Sequence, residues 1–202
     1  MSDLYFLSSN IDKYKEIRMA LKRHEILVRF RKRRLQELQS DSLNYIALEK
    51  CKIAFEVISK PVIVEDDGLF IHVLRGFPGP YSSYIFKTIG NTGILKLLSG
   101  SKDRSALFTS VLAYTDGEIT RRFVGKVIGT ISVKANGKGW GYDPIFVPSG
   151  QNKTFGLLGK EKTLVSHRAH ALTSFAIWYN HHKSRRQHKN ISSDTKTANL
   201  IF

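Results

Sequence analysis

One cysteine, Cys51, in a chain of 202 residues leaves no partner for an internal disulfide. Such a chain must be held by its core rather than by covalent staples, and the expected setting is reducing. Cys51 falls in a helical pattern beside Ala47, Ala54 and Phe55, which reads as a small buried hydrophobe rather than a nucleophile. Long apolar runs are also missing: no segment approaches eighteen consecutive hydrophobic residues, so no membrane span is expected. The opening Met1-Ser2-Asp3-Leu4-Tyr5-Phe6 has neither the basic region nor the cleavage site of a signal peptide, and a cytoplasmic location is expected. Acidic residues are also in short supply. Seventeen Asp and Glu stand against 32 Lys and Arg, a formal net charge of +15. That excess calls for a polyanionic ligand or substrate without saying which. It is concentrated in Arg29-Phe30-Arg31-Lys32-Arg33-Arg34 and in the tail from Lys183 onward. Neither run has zinc-finger spacing or an interleaved aromatic stacking motif.

What is present reads as one α/β domain over residues 1–182 followed by a basic, flexible tail over 183–202. Leu4–Ser8 is a short strand, and Ile11, Tyr14, Ile17 and Leu21 then recur at helical spacing. Residues 25–33 alternate as a strand. Asp41 or Ser42 caps a helix to about Ser59 with Leu43, Ile46, Ala47, Ala54 and Val57 on its apolar side. Strand material follows from Val62 to Leu74, then a loop at Gly76-Phe77-Pro78-Gly79-Pro80 and helices near 82–88 and 93–98. Residues 106–114 and 118–133 read as strands joined through Asp116-Gly117, a hairpin signal. A last helix is expected over 166–182, capped by Ser166.

Within this pattern, Glu65-Asp66-Asp67-Gly68 is anomalous. Burying carboxylates costs several kcal/mol unless something compensates them, yet these lie between Pro61-Val62-Ile63-Val64 and Leu69-Phe70-Ile71. Strand alternation puts Glu65 and Asp67 on one face and Asp66 on the other. Gly68 would allow a sharp change of direction after them. A hard divalent cation such as Mg²⁺, usually held by one or two carboxylates plus phosphate oxygens, would compensate the charge. Between the first strand and helix, Ser8-Ser9-Asn10-Ile11-Asp12-Lys13 offers backbone N–H groups and a lysine to a phosphate, although an ordinary helix cap explains it equally well. Gly139-Trp140-Gly141-Tyr142-Asp143-Pro144 places aromatics among glycines, suited either to stacking on a base or to plugging a core. His167 and Arg168 would put cations in the first turn of the last helix, against its dipole. Cations kept there point to a ligand contact.

In order along the chain, Ser8–Lys13, Glu37-Leu38-Gln39, Glu65–Leu69, Gly76–Ser83, Gly139–Phe146 and Lys162–Arg168 closely resemble the inosine triphosphate pyrophosphatase (Ham1-like) family, in wording nearest its archaeal branch. The resemblance runs from about Leu4 to Tyr179. It implies a two-lobed α/β fold with a long central mixed sheet, a cleft between the lobes and a homodimer. It also implies Mg²⁺-dependent hydrolysis of ITP, dITP and XTP to the monophosphate and pyrophosphate. By the same resemblance, Ser8, Ser9, Asn10, Ile11, Asp12 and Lys13 form the phosphate loop, with Lys50 assisting. Glu37 and Asp66 hold the metal, and Asp66 is also the general base. Asp67, Trp140, Gly141, Tyr142, Asp143, Lys162, His167 and Arg168 contact the substrate, with Trp140 stacked on the purine and Arg168 aimed at its O6. Thr163 stands where relatives commonly have Asn, beside the base. Two other classes remain open from sequence: a pyrophosphatase of modified pyrimidine nucleotides, and a nucleic-acid-binding protein acting through its basic tail.

Overall fold

A computed structural model describes residues 4–36 and 38–198, with residues 186–198 as backbone only. It is built on a seven-stranded mixed sheet. Strand β1 (Leu4–Ser8) leads into helix α1 (Ile11–Lys22), and β2 (Val28–Lys32) returns parallel to β1. Helix α2 (Leu43–Ile58) crosses to β3 (Val62–Ile71), which lies parallel to β1 on its other side. A short 3₁₀ turn (His72–Leu74) precedes β4 (Pro78–Gly79), and α3 (Ser82–Thr88) and α4 (Gly90–Leu97) follow. Strands β5 (Ser105–Thr115) and β6 (Thr120–Ile131) form the expected hairpin, with Gly117 at φ +92° in its turn. Then come β7 (Phe146–Pro148), α5 (Phe155–Leu158), α6 (Lys162–Val165) and α7 (His167–Ala198). The strand order is β2-β1-β3-β5-β6-β7, with β4 added beside the far end of β3, and all pairings beyond β1 are antiparallel.

The long strands carry three cores. One end of β3 and β5 buries Val62, Val64, Val111 and Ala113 against Leu43, Ala47, Cys51 and Ala54 of α2. The other face at that end packs Ile63, Leu112 and Tyr114 against α1 and against Leu172, Phe175 and Ala176 of α7. The far end of the same strands, through Leu69, Ile71, Ala106 and Phe108, packs with α4, β7 and α5. Glu65-Asp66-Asp67 therefore sits mid-strand, between the apolar clusters of two lobes.

Four expectations are corrected. Gly68 does not turn the chain, because β3 continues through it in register with Thr109. Its missing side chain instead admits β4, whose Gly79 carbonyl oxygen would stand 2.6 Å from a Cβ at that position. Ile11 is not on the buried stripe of α1; it is 44% exposed, and Ile17, Ala20 and Leu21 make the contact. Val57 likewise faces outward from α2 at 37% exposure. The last helix does not stop at His182 but runs to Ala198, across a stretch with no Gly or Pro to break it.

Helix α7 lies close against β6 because Gly125 has no side chain. A Cβ there would meet the His167 carbonyl oxygen at 1.9 Å and the Ala171 nitrogen at 2.5 Å. Both are backbone atoms of a packed helix and cannot swing aside. Gly125→Ala is expected to cost about 3 kcal/mol or more, the upper end of overpacking effects, read as a lowered urea midpoint. A midpoint within error of the unaltered chain would show that the helix can lift away freely.

Candidate active site

Between the lobes lies a cleft of about 640 Å³, within the range of small-molecule sites. Its walls come from the β1–α1 loop, the segment after β2, α2, mid-β3, α3, the aromatic loop before β7 and the start of α7. Ser8, Ser9, Asn10, Asp12, Lys13, Lys50, Asp66, Asp67, Trp140, Gly141, Tyr142, Asp143, Lys162, His167 and Arg168 all line it. Of the site residues expected from sequence, Ile11 does not line the cleft, and Glu37 lies outside the described residues.

Strand alternation divides the acidic run as expected. On one face, the fully buried Glu65 accepts from Ser110 Oγ (2.6 Å) and Arg168 Nε (2.8 Å). Asp67 Oδ2 accepts from Arg168 Nη2 (2.5 Å) and lies 3.3 Å from Lys13 Nζ, which is also 3.3 Å from Glu65 Oε2. On the other face, Asp66 Oδ1 accepts from Lys50 Nζ at 2.6 Å while its Oδ2 is buried with no hydrogen-bond partner. The ionisation follows this geometry. Burial alone would raise Glu65 and Asp67, but Arg168 and Lys13 outweigh it and hold both below the usual carboxylate range. For Asp66 burial prevails over Lys50, and its pKa is raised.

Glu16 is the residue that sequence reasoning missed. From α1 it accepts from Trp140 Nε1 (2.9 Å), Lys162 Nζ (2.7 Å) and Arg168 Nη1 (2.5 Å). It lies three positions after Lys13, which puts both on one helix face; that spacing was the available signal. Lys162 also donates to Asp143 Oδ2 at 2.8 Å, and Lys162 and Arg168 each stand 5.0 Å from the Trp140 ring. Cation–π contacts thus hold the indole. Tyr142 donates its hydroxyl hydrogen to the Ser82 carbonyl at 2.9 Å, and Asn91 Nδ2 donates to the Gly141 carbonyl at 3.1 Å, anchoring the aromatic loop to α3 and α4.

Two further corrections concern chemistry, at His167 and Thr163. At the α1 N-terminus Asn10 Oδ1 accepts from the N–H groups of Asp12 and Lys13, and Ser8 Oγ accepts from that of Asn10. This is ordinary capping. His167 is not a cation. It is 1% exposed, its ring stacks 3.9 Å from that of Phe108, and burial followed by the nearby Arg168 drives its pKa well below 6.5. Arg168 donates from each of its three nitrogens to a carboxylate, which uses three of its five N–H groups. Thr163, expected beside the base, instead faces the end of α1. Its Oγ1 accepts from Arg23 Nη2 at 3.0 Å.

The network predicts a pH effect. Burial would raise Glu16, but Arg168 and Lys162 prevail and bring its pKa from 4.5 to about 2. A depressed carboxylate stabilises the fold above its unfolded pKa, and that stabilisation is lost as pH falls through the folded value. Glu16→Gln should therefore lose about 3 kcal/mol at pH 7, as when one partner of a buried pair is removed. Its difference from the unaltered chain should shrink between pH 4.5 and about 2. Denaturant titration across that window tests this; a pH-independent difference would detach Glu16 from the ion network.

Comparison with known proteins agrees with this architecture. A family model described as the Ham1 family matches residues 4–178. A relative from Methanopyrus kandleri named dITP/XTP pyrophosphatase is 48% identical over 184 residues, covering 90% of this chain and 98% of its own length. One of the same name from Saccharolobus solfataricus is 42% identical, covering 84% and 90%. Among solved structures, a HAM1 protein from Coxiella burnetii superposes with TM-score 0.78 at 28% identity, over 90% of this chain and 100% of that one. The Staphylococcus aureus Ham1 protein gives 0.74 at 26%, over 88% and 99%.

Proposed function

We propose, from the premise that this chain belongs to the Ham1 family, that it hydrolyses non-standard purine nucleoside triphosphates. ITP, dITP and XTP would be cleaved to the monophosphate and pyrophosphate. The observation that carries this reading is Asp66. It is a buried carboxylate with one oxygen fixed by Lys50 and the other without a partner, in the wall of a nucleotide-sized cleft. Lys50 fixes the orientation of the carboxylate, and its free Oδ2 accepts the proton of a water attacking the α-phosphorus. Pyrophosphate leaves in line. The raised pKa makes this oxygen a stronger base than an exposed aspartate.

The same oxygen suits a divalent cation, Mg²⁺ in this reading, with Asp66 and Glu37 as the residues that would hold it. Among the described residues no group of three His, Cys, Asp or Glu side chains could hold an ion. That fits a cation completed by phosphate oxygens, the usual arrangement for Mg²⁺. When bound, the cation offsets charge on the phosphates and the leaving group.

At the other end of the cleft, Trp140 is held by Lys162, Arg168 and Glu16 and offers a face to the purine. Arg168 has five N–H groups. The three carboxylate bonds leave its two remaining donors for the O6 acceptor of hypoxanthine or xanthine, where adenine would present an amino donor. A homodimer and a cytoplasmic setting are part of the same proposal. No described helix is long and apolar enough to cross a membrane.

A pyrophosphate-release panel of dITP, XTP, GTP, ATP and modified pyrimidine triphosphates, with and without Mg²⁺, tests the reading. dITP and XTP should exceed ATP by about a hundredfold or more in kcat/KM. Asp66→Asn should lower kcat by about 10²–10⁴-fold in a protein whose cooperative melting transition shows that it is folded. Preferential turnover of pyrimidines, or near-normal kcat in a folded Asp66→Asn protein, would overturn it.

A further inference from the structure

Trp140 sits between two glycines, and the backbone on its two sides is held differently. On the Gly139 side it is hemmed in, since a Cβ there would meet the Asp143 side chain at 2.7 Å. On the Gly141 side it is open. Gly141 has φ +62°, a conformation that most residues avoid, and a Cβ there would find no atom within 4 Å. Packing does not hold Gly141; a hydrogen bond does. Its carbonyl accepts from Asn91 Nδ2 at 3.1 Å.

Asn91 lies in the first turn of α4, next to Gly90, whose φ of +60° turns the chain out of α3. It does not line the cleft. Its Oδ1 is buried without a hydrogen-bond partner, and the opposite amide orientation would set that oxygen against the Gly141 carbonyl. A buried acceptor left unmet costs stability. An asparagine here thus gives up one acceptor to hold one carbonyl, where an apolar side chain would do neither. The loop is anchored on both sides of this joint. Tyr142, next in the chain, donates to the Ser82 carbonyl and meets Phe86 edge-on, 5.5 Å between ring centres. Trp140 reaches the other way, to Glu16 of α1. Gly141 joins the part of the loop fixed to α3 to the part fixed to α1, and Asn91 stiffens the joint.

We propose that Asn91 is a positioning residue for base recognition: by holding the Gly141 carbonyl it fixes the backbone from which Trp140 presents its face to the purine. The purine in this assignment rests on the pyrophosphatase reading, whereas the placement of Trp140 by Asn91 does not.

Fluorescence tests the placement independently of turnover. The chain has two tryptophans, and Trp178 packs on the α7 core, outside the cleft. In a Trp178→Phe background the emission therefore reports Trp140 alone. Asn91→Ala should shift that emission to longer wavelength and raise its quenching by acrylamide. Asn91→Asp, which keeps the size of the side chain but replaces the donor with an acceptor, should do the same and so separates the hydrogen bond from packing. In kinetics Asn91→Ala should raise KM for dITP about three- to tenfold, the worth of one hydrogen bond, with kcat changed by less than about twofold. Trp140→Ala removes the group through which Asn91 acts, so adding Asn91→Ala to it should raise KM no further. An unchanged Trp140 emission in the folded Asn91 variants, or the same rise in KM with and without Trp140, overturns the assignment. If the unaltered chain turns over no dITP while the Asn91 variants still shift the emission, Asn91 holds Trp140 as inferred and the catalytic reading falls.

Discussion

Arg168 carries a permanent charge into a place where only 2% of it meets solvent. A guanidinium so placed is tolerable only if its donors are met and its charge is balanced. Glu16 from α1 and Glu65 and Asp67 from β3 do this, while Arg168 itself comes from α7. One side chain thereby fixes the relative positions of three elements that the apolar cores alone would hold more loosely. Hydrophobic contacts are non-directional; a guanidinium with three carboxylates is not. Lys162 and Trp140 are then held by Glu16, so the Trp140 wall of the cleft inherits its geometry from the same ion cluster. The arrangement need not add net stability, since buried ion pairs often roughly break even against apolar replacements. What it supplies is a single geometry for the cleft.

That geometry has an electrostatic consequence. A site meant for a triphosphate is expected to be cationic throughout, and here it is not. The positive groups in the interior are balanced by acids that orient them. The excess of basic residues in the chain as a whole is thus no guide to where anions bind.

Much of the fold could be read from local pattern. The spacing of Ile17 and Leu21, the Ser42 cap, the Asp116-Gly117 turn and the alternation around Val62–Ile71 each report on neighbours within a few residues, and those elements formed where expected. The split of the acidic run was legible for the same reason, because it depends only on the period of a strand. What was not legible is partnership at a distance. Glu16 looks like any solvated acid on an amphipathic helix until Trp140, Lys162 and Arg168 arrive from more than a hundred residues away. His167 was misread as a cation because its ionisation depends on burial and on Phe108. Gly68 was misread as a turn because the carbonyl it admits belongs to Gly79, which pairs back against the same strand.

The division of the acidic run also explains why its residues must sit on one unbroken strand. Asp66 and its two neighbours are adjacent in sequence and all deeply placed, yet their pKa values move in opposite directions. Glu65 and Asp67 face Arg168 and Lys13 and are lowered; for Asp66 burial outweighs Lys50 and the more distant Lys13, and it is raised. Were Asp66 on the same face, the cations would stabilise its charged form and make it a poorer proton acceptor. A turn at Gly68, or a slip of one residue in register, would exchange the faces and place Asp66 among the cations. The ten-residue pairing of β3 with β5 prevents both. Strand alternation thus separates the carboxylates tied to Arg168 and Lys13 from the one with an oxygen that has no hydrogen-bond partner.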